Sequence, residues 1–210
     1  MPMIKNLVFD FGKVLVNHDL HAVLERYFKG DKEAEECFCT ILASPAFTQA
    51  CDLGLVPFGE LIRKAQLEHP QFAGAFRFFY ENYLDEVTGE IEGMREVLVC
   101  YKSKGFKLYG LSNWSDVIYE VMRQYEIFNL LDGRVISCEE HIVKPEKEIY
   151  LRLCERYGLE PSECLFTDDR MENVEGAKAA GMEAVLFTTV ADYAKDLERL
   201  LKPARVHLKK

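Results

Sequence analysis

Leu7-Val8-Phe9-Asp10-Phe11-Gly12-Lys13-Val14-Leu15 is the stretch on which the fold turns. An apolar run ends in a carboxylate, and a glycine follows two residues later. A strand covered on both faces reads as an unbroken apolar run rather than an alternation, and Leu7-Val8-Phe9 has that form. Open α/β sheets bind their ligands in the crevice beyond the carboxyl ends of the strands, which is where Asp10 stands. That position suits a nucleophile. Asp-x-Gly also opens ordinary turns, so both readings stand on this stretch alone.

Working outward, short apolar runs ending in polar residues recur at Ile4 to Phe9, Lys107 to Leu111, Arg134 to Ser137, Cys164 to Thr167 and Ala184 to Thr188. Helical stretches lie between them. Apolar residues recur at helical spacing from Met94 to Tyr101, with Gly105 as a left-handed stop. Ile149 to Tyr157 ends at Gly158, and Glu172 to Ala180 at Gly181, in the same way. Strands alternating with helices of this length predict an α/β fold, a doubly wound parallel sheet with a Rossmann-like core.

From about Asn17 to Val87 the alternation breaks. This region shows helical segments such as Leu20 to Phe28, Lys32 to Leu42, Phe58 to Leu67 and Phe72 to Tyr83, punctuated at Gly30-Asp31, Ser44-Pro45, Gly54 and Pro70. It reads as a helical domain inserted after the first strand. Residues 1–16 and 88–210 then form the core, and 17–87 the insertion. The aromatics Phe72, Phe76, Phe78, Phe79, Tyr80 and Tyr83 are expected in the core of the helical bundle, with some able to line a pocket. Lys202 to Lys210 reads as a solvated tail.

The 210 residues carry 49% apolar and 29% charged side chains, ordinary for a soluble globular protein with one domain and an insertion. A net charge of −9 argues against a general nucleic-acid binder, because phosphate-backbone affinity comes from lysine and arginine. It is compatible with a small phosphorylated substrate, since one metal ion and one lysine reverse the field inside a cleft. Seven cysteines show no CxxC spacing, Cys37-x-Cys39 reads as helix packing, and reduced thiols fit a cytoplasmic protein. The start has no signal-peptide pattern, and no run approaches the roughly 18 apolar residues of a membrane span.

Three further segments bear on chemistry. Ser112-Asn113-Trp114 follows a strand, where a hydroxyl and an amide can donate to phosphoryl oxygens; Ser-Asn is also ordinary helix-capping chemistry. Lys144-Pro145 precedes a helix, with Pro145 suited to the first helical position and Lys144 at the lip of a cleft or simply on the surface. Asp168-Asp169 ends another apolar run, and adjacent carboxylates repel unless a cation lies between them or one is neutralised. Hard oxygen ligands point to magnesium, with Asn173 able to support the same site. An acidic helix start is the alternative reading.

In order and spacing, Asp10, Ser112, Lys144 and Asp168-Asp169 resemble the four motifs of the haloacid dehalogenase superfamily, over Ile4 to about Thr188. The helical insertion is similar to the helical-bundle cap of one subfamily. The branch most alike includes sugar-phosphate phosphatases and the phosphatase half of soluble epoxide hydrolases. The resemblance implies that Asp10 attacks phosphorus to form an aspartyl-phosphate, which water then hydrolyses. It implies Mg2+ held by Asp10, Asp169 and the Gly12 carbonyl, with Asp168 direct or through water, and a small phosphorylated metabolite, a sugar phosphate above all, held by Ser112, Asn113 and Lys144, with Trp114 beside them.

The chain departs from the phosphatase pattern at Gly12, where an aspartate usually protonates the leaving oxygen and activates water. That help is worth about 10²–10⁴-fold. His18 and Asp19 are candidate substitutes, although Asp19 can equally cap the next helix. The same gap opens a dehalogenase reading, which needs no magnesium, and a regulatory protein that binds a phosphometabolite. Phosphonate hydrolysis needs a Schiff-base lysine, and neither Lys32 nor Lys64 has a distinctive context for it.

Overall fold

The computed structural model describes residues 3–201; the tail expected at Lys202 to Lys210 lies outside the described residues. The chain runs through β1 (Asn6–Phe9), β2 (Val16–His18), α1 (Leu20–Phe28), α2 (Lys32–Leu42), α3 (Pro45–Leu53), α4 (Phe58–Glu68) and α5 (Ala73–Glu81). It continues through β3 (Val87–Glu90), α6 (Met94–Ser103), β4 (Lys107–Ser112), α7 (Ile118–Gln124), β5 (Gly133–Ile136) and α8 (Ser137–Glu140). The last elements are α9 (Lys147–Tyr157), β6 (Cys164–Asp168), α10 (Met171–Ala179), β7 (Glu183–Leu186) and α11 (Val190–Leu200).

A five-stranded parallel sheet in the order β5-β4-β1-β6-β7 carries all five expected strands, each within two residues of the sequence boundaries. The runs lack alternation because both faces are covered. Leu7 and Phe9 pack with Leu98, Ile118 and Leu197 on one face, while Val8 joins Tyr150, Leu153 and Ala177 on the other. After β1 the chain builds outward through β4 and β5, then returns to β6 and β7 on the opposite side. That reversal puts the crevice at the tips of β4, β1 and β6.

The turn after β1 is held by Phe11. Its ring packs edge-on against Phe128 at 4.8 Å and lies over Gly110 of β4, where a Cβ would come within 2.3 Å of it. The Phe11 carbonyl accepts from the Leu15 and Val16 amides at 2.8 and 3.0 Å, and Lys13 takes a left-handed conformation with φ 60°. Asp10 is thereby aimed out of the strand end into the crevice.

Helices α1 to α5 enclose a separate apolar cluster of Leu24, Phe38, Phe58, Ile62, Phe76 and Phe79. Of the aromatics assigned to it, Phe76 and Phe79 are buried, Phe72 and Tyr83 pack against it, and Tyr80 is exposed. Helix α3 is not among the helices expected from the sequence, because none of its residues is fully buried and only Phe47 and Cys51 pack against the cluster, too few to mark an apolar stripe. Ser44-Pro45, taken for punctuation, is its start: the Ser44 hydroxyl accepts from the Phe47 amide, and Pro45 occupies the first turn. Strands β2 and β3 were also missed. They form a two-stranded antiparallel ribbon where the chain enters and leaves the helical insertion, too short and too exposed to leave a pattern. Cys37 is exposed rather than packed, whereas Cys39 packs against the helical cluster.

Gly110→Ala should destabilise the fold by about 1–3 kcal/mol, since the added methyl must displace the Phe11 ring. Urea denaturation would show this as a lower midpoint at unchanged slope.

Candidate active site

A cleft of about 810 Å³ lies between the strand tips and helices α1 to α5. Asp10, just past β1, is 8% exposed, and its amide donates to the Thr167 carbonyl of β6 at 2.9 Å. Ser112 ends β4 and lines the same cleft. Asp168 ends β6 with no exposure, and Asp169 follows it, half-buried. Carboxylate oxygens of Asp10, Asp168 and Asp169 lie within 4.8 Å of one another.

Lys144 joins this cluster from the far side. Its Nζ donates to Asp10 Oδ1 at 2.8 Å and to Asp168 Oδ2 at 2.7 Å, and the residue is 5% exposed, so the surface reading fails. Burial works against its charge, but Asp10 and Asp168 outweigh burial and hold the ammonium above its ordinary pKa. The expected placement of Pro145 at the start of the helix is not met. A turn closed by the Glu146 amide on the Val143 carbonyl, 2.9 Å, intervenes, the Lys144–Pro145 peptide is cis, and α9 begins only at Lys147. That turn points Lys144 inward. Gly176 of α10 gives the loop room, because a Cβ there would sit 2.5 Å from the Pro145 carbonyl.

Asn113 holds the lysine loop rather than a helix. Its Nδ2 donates to the Lys144 carbonyl at 3.0 Å and its Oδ1 accepts from the Lys144 amide at 2.8 Å, while α7 starts only at Ile118. Asn173, at the start of α10, donates through Nδ2 to both Asp168 oxygens at 3.0 Å. The Arg170 amide adds a third donor, to Oδ1, at 2.9 Å. Together with Lys144, these fill the lone pairs of Asp168 and leave Asp10 and Asp169 the more open carboxylates. Burial, opposed by Lys144 and reinforced by Asp168, pushes the Asp10 carboxyl up; burial and then Asp168 do the same to Asp169, with Lys13 opposing. Clustered oxygen donors with raised proton affinity fit a hard divalent cation.

The two candidate proton donors part company. Asp19 is exposed, is absent from the cleft lining, and its carboxylate caps α1 by accepting from the Ala22 amide at 3.1 Å. His18 lines the cleft on β2, with Nδ1 2.9 Å from Glu86 Oε1 and its ring edge-on to Trp114. Trp114 also lines the cleft at the seam, where Nε1 donates to the Tyr83 hydroxyl at 2.8 Å and the ring lies near Gly12. The sequence reading missed Asp52 and Glu86, two acids that line the cleft from the inserted segment. Asp52 stands two residues before the Gly54 turn, where it reads as a helix end, and Glu86 lies in a single helical turn with no pattern.

The family of haloacid dehalogenase-like hydrolases matches this chain over residues 4–181. Flavin mononucleotide hydrolase 1 of Arabidopsis thaliana is 31% identical over 113 residues, 52% of this chain and 45% of that protein, so the match spans less than half of the relative. The putative phosphatase YhcW of Bacillus subtilis is 27% identical over 192 residues, 88% of this chain and 83% of that protein. A HAD family enzyme of Bacteroides thetaiotaomicron has the same fold, with a TM-score of 0.77 and 23% identity over 93% of this chain and 99% of that one. The wild-type Bacteroides enzyme is also known in complex with magnesium and inorganic phosphate, at a TM-score of 0.73 and 23% identity over 91% of this chain and 98% of that one. The family match runs from the first strand past the acids at the tip of β6, and the chain belongs to the haloacid dehalogenase-like hydrolases.

Proposed function

We propose that this protein is a magnesium-dependent phosphatase that hydrolyses a small phosphorylated metabolite, a sugar phosphate above all, through a phosphorylated Asp10. The observation that carries this reading is the buried cluster in which Asp10 shares one point with Asp168, Asp169 and the Lys144 ammonium. The phosphatase-named Bacillus relative and the magnesium and phosphate complex of the Bacteroides enzyme support it.

Asp10 and Asp169, with the Gly12 carbonyl, would hold the magnesium, and Asp168 would reach it through water because its oxygens are engaged. Bound there, the ion supplies positive charge that offsets the carboxylates and the phosphoryl oxygens. Asp10 serves as nucleophile toward phosphorus. Lys144 orients the Asp10 carboxylate and offers its remaining proton to a phosphoryl oxygen. Ser112 and the Asn113 backbone flank that oxygen, while Asn113 and Asn173 hold Lys144 and Asp168 in place. Residues 17–87 serve as a cap over a core of 1–16 and 88–210, excluding water and presenting the cap side chains, beside Trp114 of the core, to the leaving group. No described helix is long and apolar enough to cross a membrane, and free thiols with an acidic surface fit a cytoplasmic setting.

Phosphate release from p-nitrophenyl phosphate or a sugar phosphate should require magnesium and stop on chelation. Asp10→Asn, nearly isosteric, should abolish turnover while the fold persists; wild-type rates in that variant would refute the nucleophile. Metal-independent halide release would favour a dehalogenase instead. No turnover across a broad phosphoester panel, together with measurable ligand affinity, would favour a binding protein. Asn173→Ala removes two donors from a fully buried carboxylate and should cost about 1–3 kcal/mol in chemical denaturation.

A further inference from the structure

We propose that Asp52, on the cap helix α3, is the general acid and base of this reaction, in place of the aspartate that Gly12 lacks. The inference rests on the phosphatase reading above. In-line displacement puts the leaving oxygen on the side of phosphorus remote from the nucleophile. Asp10 attacks from the sheet, so the proton must come from the cap side of the cleft.

Few cap groups there can carry one. Burial and the Asp52 charge push the Cys51 thiol up to about 12, and burial raises the Tyr83 hydroxyl, which also accepts from Trp114, well above its ordinary range. His18 and Glu86 are engaged with each other at the neck. Asp52 remains: half-buried, lining the cleft with Asp10, its carboxyl in no hydrogen bond or ion pair among the described residues. Burial pushes this carboxyl up to about 6 against the pull of Lys144 and Arg170, with Asp10 adding to the rise. A proton carrier poised near neutrality is what acid-base catalysis at phosphorus requires.

The cap fixes Asp52 against the core. Ser137, at the start of α8, donates from Oγ to the Asp52 carbonyl at 2.5 Å and accepts from the Trp114 amide at 3.0 Å. His141 Nδ1 donates to the Leu53 carbonyl at 2.7 Å. Gly54, left-handed at φ 58°, lets the helix end approach so closely that a Cβ there would lie 2.4 Å from Cys138 Cβ. The helix end carrying Asp52 is thus positioned by the same β4 and β5 loops that shape the phosphate side. At Gly12, by contrast, a Cβ would meet only the Trp114 ring, at an ordinary 3.7 Å, so close packing is not what requires a glycine there.

In the first half-reaction an Asp10 oxygen bonds to phosphorus as the bond to the leaving oxygen breaks. The Asp52 proton passes to that oxygen, releasing the alcohol and leaving Asp52 a carboxylate. In the second, the Asp52 carboxylate takes a proton from water as the water oxygen attacks phosphorus. Asp10 is released, inorganic phosphate departs, and Asp52 is again protonated.

Two esters of similar size, phenyl phosphate and p-nitrophenyl phosphate, test this with magnesium present. Asp52→Asn should lower kcat/KM about 10²-fold for the phenyl ester, whose leaving group needs the proton, and less than about tenfold for the nitrophenyl ester. It should also release a burst of nitrophenolate equal to the enzyme, as the phosphoenzyme waits for a base. The ratio of the two esters is independent of the active fraction, so a partly misfolded variant does not blur it. An equal loss on both esters, or no loss on either, overturns the assignment while leaving the phosphatase reading intact. A shifted ratio in His18→Gln with none in Asp52→Asn likewise overturns it. A wild-type protein inactive on both esters overturns the phosphatase reading and this inference with it.

Discussion

One buried ammonium holds the site together. Lys144 lies within 2.8 Å of Asp10 and within 2.7 Å of Asp168, in a place where unpaired carboxylates would repel and lose their hydration. A buried ion pair of this kind is a poor way to gain stability, because desolvation of both partners takes back most of the attraction. The surrounding residues make it tolerable. Asn113 clamps the lysine backbone from β4, Asn173 and the Arg170 amide saturate Asp168, and Gly176 admits the loop. Elements far apart in sequence therefore converge on a polar point inside an otherwise apolar crevice, and the fold carries a cost there that only function explains.

The parallel sheet was legible because doubly covered strands must be apolar throughout, and Leu7 to Phe9 or Cys164 to Phe166 can be little else. Helix ends were legible where the chain must turn left-handed, as at Gly158. The reading failed where structure rests on contacts distant in sequence. No residue of helix α3 is fully buried, and the β2–β3 ribbon joins residues 16–18 to 87–90 through a few backbone bonds. The inward course of Lys144 likewise depends on carboxylates more than a hundred residues away or on another strand, which no local pattern announces. Asp10, Asp168 and Asp169 were visible as strand-tip acids, whereas Asp52 belongs to a helix end whose place is set by Ser137 and Cys138.

The cleft divides its work between two surfaces. The strand tips present charge: carboxylates, an ammonium, and the Lys13 and Arg170 side chains at the lip. The inserted helical segment presents mostly apolar and aromatic groups, among them Phe47, Phe58 and Phe79, with Asp52 and the His18–Glu86 pair set into them. Such a wall contributes shape and exclusion of water more than hydrogen bonds. Trp114 ties the two surfaces, since its ring meets His18 and its indole nitrogen donates to the Tyr83 hydroxyl of the inserted segment. Changes in side chains of the inserted helices can therefore reshape the cleft without disturbing the charges at the strand tips.

Charge counting explains why one lysine is insufficient. Asp10, Asp168 and Asp169 carry three formal negative charges and Lys144 one positive, so the cluster is left at −2 before substrate arrives. An anionic ligand such as a phosphate monoester would meet net repulsion from the bare cluster. Part of the mismatch already shows in the raised proton affinities of Asp10 and Asp169, which burial and the neighbouring Asp168 charge produce together. A divalent cation at the two open carboxylates would cancel the deficit. Protonation could relieve the same repulsion, but a proton on Asp10 would take away the negative charge that makes a carboxylate a nucleophile. Of the two remedies only a divalent cation would leave the Asp10 carboxylate ionised, and with Asp168 saturated by Lys144, Arg170 and Asn173 the open oxygens that could hold one are those of Asp10 and Asp169.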